Sequence, residues 1–211
     1  MNTYSKQVDS EYYNFSYYMD AARWMSYYEQ IKLFHSLEKN SSVLEIGAGL
    51  SLNKEHIEEH LPSLVYKTLD IAEDLEPDYV GSAHDIPIDT NSFDAVVAFE
   101  VLEHLPFEEF EKALLEMKRV SKSTVIVSLP HFGPPIKFLL KIPFVKEFKF
   151  AIKIPYRPTH VFNGQHYWEI GKKGYSPKFI RSVFKKHFEL VDEFIPFDNQ
   201  YHHFFVLKVS K

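Results

Sequence analysis

The stretch Ser42-Val43-Leu44-Glu45-Ile46-Gly47-Ala48-Gly49-Leu50-Ser51 decides the fold. Val43, Leu44 and Ile46 are apolar and partly β-branched, the composition of a strand covered on both faces. Gly47 and Gly49 follow at once. Without Cβ atoms the backbone turns sharply there and a ligand can come close to it. Glu45 puts a carboxylate at the end of that strand, the edge at which open α/β sheets bind ligands. A dinucleotide turn reads G-x-G-x-x-G, its third glycine allowing tight helix–strand packing. Leu52 stands at that place instead. A carboxylate just before the first glycine also sits badly beside a pyrophosphate, and suits a ligand with an ammonium group and hydroxyls.

Further landmarks extend outward from this turn. Thr68-Leu69-Asp70-Ile71 ends a second strand, and Tyr79 to Pro87 holds a third strand with its exit loop, carrying Asp85 and Ile86. Phe93 to Glu100 is a fourth strand, followed by Val101-Leu102-Glu103-His104-Leu105. Each acid has a plain reading when taken alone. Asp70 suits an N-cap, Asp85 a turn before Pro87, and Glu100 and Glu103 the first turn of a helix. Four strand-end features in this order are hard to obtain by accident.

From Val43 to Leu105 the chain resembles the class I S-adenosylmethionine-dependent methyltransferases, especially the small-molecule subgroup called methyltransferase type 11. The resemblance extends over roughly residues 40–130, with Ser51 where the family turn has a third small residue, usually glycine. It implies a three-layer, Rossmann-like α/β sheet of seven strands in the order 3-2-1-4-5-7-6, with strand 7 antiparallel. It also implies S-adenosyl-L-methionine as cofactor. Gly47, Ala48 and Gly49 would then pass the backbone along the ribose and methionine portion, with Glu45 near the amino group. Asp70 and Ile71 would meet the ribose hydroxyls, Asp85 and the Ile86 amide the adenine, and Phe99 and Glu100 the methionine moiety.

The chain of 211 residues is long enough for one α/β domain and short for two. No run of 18 apolar residues suggests a membrane-spanning helix, and the N-terminus lacks a signal-peptide pattern. The absence of cysteine excludes disulfides and thiolate chemistry and fits a cytoplasmic protein. Charge is uneven. Residues 1–130 carry 10 Lys/Arg against 23 Asp/Glu, whereas 131–211 carry 14 against 6. The basic half is either a set of solvated lysines or a face for an anionic substrate or membrane.

The rest of the chain is read as cover for this sheet. Residues 1–40 form a helical cap, with an apolar stripe through Trp24, Tyr27, Tyr28, Ile31, Phe34 and Leu37. An aromatic of the Tyr12–Tyr18 cluster is expected over the cofactor. Lys54 to His60 is the first crossover helix, and too few residues separate Asp70 from Tyr79 for a second. Phe107 to Val120 is an amphipathic helix and Thr124 to Leu129 the fifth strand. Residues 131–170 depart from the pattern, with Phe138-Leu139-Leu140 and Phe144 to Ile154 expected as short helices among lysines. This insertion reads as a substrate lid, as a plain covering subdomain, or, through residues 136–157, as a surface resting on a membrane. Ser176-Pro177 starts the last helix. Glu189 to Phe197 and His203 to Val209 form a closing antiparallel pair.

Methyl transfer from a sulfonium needs donor and acceptor held in line and water excluded, and a base where the acceptor carries a proton. His131 and His104 are the candidate bases. Tyr18, His166 and Trp168 are the candidate acceptor contacts. His202-His203 and Glu55-His56 lack ligand spacing, so no metal is expected. The expected acceptor is an oxygen or nitrogen of a small molecule, anionic or lipid-linked in view of the basic insertion. Nucleic acid is the alternative, disfavoured because Phe99-Glu100-Val101-Leu102 stands where base-methylating enzymes carry Asn/Asp-Pro-Pro-Tyr/Phe. A non-catalytic cofactor-binding module is the other.

Overall fold

The computed structural model describes residues 20–49 and 52–210. Its centre is a seven-stranded sheet. In chain order the strands are β1 (Ser42–Ile46), β2 (Val65–Asp70), β3 (Tyr79–Val80), β4 (Phe93–Phe99) and β5 (Ser121–Pro130), then β8 (Phe188–Phe194) and β9 (His202–Val209). A separate hairpin, β6 (Pro135–Leu140) and β7 (Phe148–Lys153), is inserted after β5. The sheet order is β3-β2-β1-β4-β5-β9-β8. Strands β1 to β5 pair in parallel, and β9 lies antiparallel between β5 and β8. With the hairpin set aside, this is the order and polarity the sequence led us to expect.

Strand periodicity divides the core in two. Leu44 and Ile46 face one layer, with Val96, Val127, Phe110, Trp168 and Phe184. Val43 faces the other, with Val97, Ile126, Phe204, Phe34 and Ile57. The first layer is made by α3 (Phe107–Val120) and α4 (Pro177–His187), the second by α1 (Ala21–His35) and α2 (Leu52–His60). On α3 the buried residues are Phe110, Ala113, Leu114, Met117 and Val120, the spacing of one helix face. Ser176 caps α4, its hydroxyl accepting from the Phe179 amide at 3.2 Å, with Pro177 in the first turn.

Between β2 and β3 there is only a single 3-10 turn, Glu73–Leu75. Asp78 takes over the joining role of the missing helix. Its carboxylate accepts from Lys67 Nζ at 2.7 Å, from the Thr68 amide at 3.0 Å and from Thr68 Oγ1 at 3.1 Å.

Two expectations need correction. The residues that α1 buries are Ser26, Gln30 and Phe34, while Trp24 and Tyr28 of the apolar stripe are about half exposed. The helix turns polar groups inward because they lie over buried polar partners, described below. The helices expected within 138–140 and 144–154 are instead β6 and β7, paired antiparallel from Pro135↔Lys153 to Leu140↔Phe148. Lysines four apart, such as Lys149 and Lys153, fit a helical face. Phe148, Phe150 and Ile152 alternating with Lys149, Ala151 and Lys153 fit a strand equally well, and the cross-strand Phe138↔Phe150 pair selects it. Among the described residues no helix is long and apolar enough to cross a membrane.

Candidate active site

The carboxyl edge of β1 runs into Gly47, whose amide donates to Leu69 O of β2 at 2.7 Å. Gly47 has φ of 66° and Gly49 of 54°, left-handed values that suit glycine. A Cβ on Gly47 would lie 2.5 Å from Val101 Cγ2, so the turn is seated against the exit of β4. Asp70, at the end of β2, reaches across: its carboxylate accepts from the Gly49 amide at 3.2 Å and from the Ala72 amide at 2.9 Å. Ile71 beside it is exposed.

Behind the turn, Glu45 is buried and accepts from Tyr66 Oη and from Asn53 Nδ2, the latter at 3.3 Å. Asn53 also donates to Gln30 Oε1 at 2.8 Å, which is why α1 turns Gln30 inward. Burial pushes the Glu45 carboxyl up to about 7, against the pull of the Tyr66 and Asn53 bonds.

β4 ends at Phe99, and Glu100 follows with φ of 55°. Glu100 accepts from Ser128 Oγ at 2.8 Å and stands 3.6 Å from His202 Nε2. Burial pushes its carboxyl up to about 8. Glu103, one turn on, is fully buried, and among the described residues neither carboxylate oxygen has a hydrogen-bond partner. Burial, then the neighbouring Glu100 charge, drive its carboxyl well above the usual range. His104 Nδ1 lies 3.2 Å from Gln165 O, and burial lowers its imidazole to about 4. His166 Nδ1 lies 3.2 Å from Glu169 Oε1, which also accepts from Tyr201 Oη at 2.9 Å. Burial works against the Glu169 charge, yet the bonds from His166 and Tyr201 hold its carboxyl below the ordinary value.

One pocket gathers these groups. Glu45, Gly47, Ala48, Gly49, Phe99 and Glu100 line it from the sheet edge. Arg23, Gln30 and Asn53 line it from the two helices, and Glu103, His104, His166, Tyr201 and His202 from the far side. Asp70 is not in the pocket wall and meets the glycine turn through the bond from the Gly49 amide. Asp85 and Ile86 are not in the pocket wall. The Ile86 side chain is buried, and its amide donates to Glu116 Oε2 at 3.0 Å.

Two acceptor-side candidates stand outside this pocket. Trp168 is wholly buried in the core and donates from Nε1 to Leu105 O at 3.1 Å, leaving no surface for a substrate. His131 stands in a neighbouring cavity with Lys153, Arg181 and Glu193, stacked on His203 at 5.1 Å between ring centroids. Burial and the Lys153 charge lower its imidazole to about 3. Tyr18 lies outside the described residues, as do Leu50 and Ser51. Arg23, Gln30, Asn53, Tyr201 and His202 were not read as site residues. Only the polar Ser26–Gln30 spacing inside an otherwise aromatic helix offered a signal for the first group, and nothing local did for the second.

The comparisons agree with this geometry. Residues 44–129 match the model of a family described as a methyltransferase domain. No curated protein sequence matches the chain. A solved protein of Pyrococcus horikoshii OT3 superposes with a TM-score of 0.61 at 16% identity, over 96% of this chain and 100% of that one. The 1,6-didemethyltoxoflavin-N1-methyltransferase of Burkholderia thailandensis, solved with its substrate and S-adenosylhomocysteine, gives 0.60 at 13% identity, over 90% and 79%. Magnesium protoporphyrin IX methyltransferase from Synechocystis PCC 6803, solved with S-adenosylmethionine, gives 0.52 at 14%, over 88% and 77%. The open glycine turn, the carboxylates beside it and the concave wall facing it suit a nucleoside with an ammonium group. The match to a methyltransferase-domain family thus spans β1 to β5, within a sheet that has the order and polarity of the class I, Rossmann-like fold.

Proposed function

We propose that the protein transfers a methyl group to an oxygen or nitrogen of a small acceptor presented at a membrane surface, a lipid-linked or anionic amphiphile. When bound, S-adenosylmethionine supplies a methyl already activated by its sulfonium, so the chain's own work is positioning and exclusion of water. Gly47, Ala48 and Gly49 leave the backbone open to the donor, and Glu45 and Glu100 offer carboxylates to its ammonium end. Asp70 would exchange its present amide bonds for the ribose diol. Asp85 and the loop through Ile86 lie farther along the same edge and are assigned to the adenine. The acceptor meets the opposite wall, His104, His166 and Tyr201. There His104, whose imidazole burial lowers to about 4, stands with His166 and Tyr201 facing its O–H or N–H.

The observation that carries the membrane part is the hairpin. All of β6 is exposed, and Phe144 at the turn, with φ of 65°, is entirely so. Ile136, Phe138, Leu139, Leu140, Ile142, Phe148, Phe150 and Ile152 are also about half exposed. Lys137, Lys141, Lys146, Lys149 and Lys153 are interspersed with them. Apolar side chains that insert, flanked by cations that meet lipid phosphates, are the chemistry of an interfacial anchor. The hairpin springs from the exit of β5, two residues beyond Ser128, which holds Glu100.

The test supplies methyl-labelled S-adenosylmethionine with membrane and soluble fractions of a source extract and identifies the labelled product by mass. Label in a lipid-phase product supports the proposal. Label only in water-soluble metabolites, or in nucleic acid, overturns its acceptor class. Flotation with anionic liposomes should show binding that fades with salt and is lost on Phe144→Asp. A protein that stays at the bottom of the gradient at low salt removes the membrane part.

A further inference from the structure

Inside the pocket, Glu103 presents an unusual situation: a wholly buried carboxyl group whose two oxygens find no hydrogen-bond donor among the described residues. Such a group is costly unless something compensates it. One donor atom each from Glu103, His104 and His166 lie within 4.8 Å of one another, and His166 Nε2 is 3.9 Å from Glu103 Oε1. Both imidazoles are oriented from behind. His166 Nδ1 faces Glu169 Oε1 at 3.2 Å, and Glu169 is itself fixed by Tyr201 Oη at 2.9 Å. His104 Nδ1 faces the carbonyl of Gln165 at 3.2 Å. With Nδ1–H donated to an oxygen, the lone pair of each ring sits on Nε2. A histidine whose far nitrogen is held by a carboxylate or carbonyl is the arrangement that orients metal ligands.

We infer that Glu103, His104 and His166 form a binding site for a divalent transition-metal ion, one carboxylate and two imidazoles with open positions facing the pocket. That donor set suits zinc, iron, cobalt or manganese in preference to magnesium or calcium, which prefer oxygen alone. An ion about 2.1 Å from each donor sets tetrahedral ligands about 3.4 Å apart, so the three side chains draw together by roughly an ångström on binding. Glu169 is a positioning residue that holds His166. The sequence hid the site because two ligands are adjacent, Glu103 and His104, and the third follows 62 positions later, a separation with no motif. The role of the ion rests on the methyl-transfer reading: its open positions take an acceptor oxygen, hold it before the donor methyl and make its hydroxyl more acidic. The two imidazoles then act through the ion and do not accept the proton directly.

A rival lies on the surface, where His35 Nε2 is 3.3 Å from His56 Nε2 and the His56 and His60 rings are 4.7 Å apart. The experiment therefore uses the full chain stripped with chelator and titrated calorimetrically with Zn²⁺, Co²⁺ and Mn²⁺. Visible absorption of the Co²⁺ form serves as a second readout. One ion per chain is expected at micromolar affinity or tighter. Glu103→Gln and His166→Asn should each weaken it at least 10-fold, and Glu169→Gln should weaken it about 10–100-fold, with melting of the metal-free variants confirming that each is folded. His56→Asn should leave the affinity unchanged. Absence of binding, or binding lost on His56→Asn and kept on Glu103→Gln and His166→Asn, overturns the site. Cofactor binding is measured separately on metal-free protein. Loss of the metal with the cofactor retained refutes the ion alone, and retained metal without cofactor refutes the methyl-transfer reading and with it the ion's role.

Discussion

Replacing Gly47 by alanine tests the structural basis of the glycine turn. The new Cβ would stand 2.5 Å from Val101 Cγ2 and 2.9 Å from Val101 Cγ1, on a backbone with φ of 66°. Two separable costs follow. A non-glycine residue held in the left-handed region loses roughly 1–2 kcal/mol, and overpacking against a neighbour fixed on the sheet costs roughly 1–3 kcal/mol. Together they predict a loss of about 2–5 kcal/mol, measured by urea denaturation with unchanged m-value. Val101→Ala removes both offending methyl groups. In that background Gly47→Ala should cost only the backbone part, about 1–2 kcal/mol, so a double-mutant cycle should show a favourable coupling of at least about 1 kcal/mol. Calorimetric binding of S-adenosylmethionine should weaken in the single variant and recover in part in the double. A Gly47→Ala protein as stable as the parent, or a cycle with no coupling, would refute the reasoning, because neither the strain nor the contact would then exist.

Asp70→Ala should weaken cofactor binding by roughly 1–3 kcal/mol, the cost of unpaired hydroxyls; unchanged binding by calorimetry would take Asp70 out of the site. Trp168→Ala should cost roughly 3–5 kcal/mol of stability, as for a buried aromatic in a filled core; a loss below 1 kcal/mol would contradict its burial. Acid stability should depend on Glu193, whose carboxyl, despite the opposing effect of burial, is held down to about 2 by His203 and Arg181. A group lowered on folding stabilises above its unfolded value and stops doing so as pH falls through the folded one. Stability should therefore decline between about pH 4.5 and pH 2, and Glu193→Gln should flatten that part of the profile in denaturant titrations.

The sequence was legible where structure is local. The β1 turn, the α3 periodicity and the Ser176-Pro177 cap are each written in contiguous residues, whereas the sheet order was implied by the family resemblance that the strand ends carry. The hairpin was misread because a strand and a helix share a four-residue lysine spacing, and only cross-strand partners distinguish them. The sheet-edge side of the pocket was visible in Glu45, Gly47, Gly49 and Glu100. The facing wall was not, because Arg23, Gln30, Tyr201 and His202 reach the pocket from opposite ends of the chain. Trp168 is suggested by the aromatic and polar run His166-Tyr167-Trp168-Glu169, and His131 by its place directly after the fifth strand. The first is consumed by the core, and the second stacks on His203 of β9 in a different cavity.

The sheet's two borders are poor templates for another chain. β3 offers a ladder of two residues, and β8 carries Glu189, Asp192 and Glu193 beside a register shift at Leu190/Asp192. The hairpin is less guarded: each of its strands keeps one unpaired edge, and Phe138, Leu139, Leu140, Phe148, Phe150 and Ile152 outnumber Lys137, Lys149 and Lys153 on them. At high concentration without lipid, self-association should therefore begin at β6 and β7, and detergent should prevent it while leaving the sheet untouched.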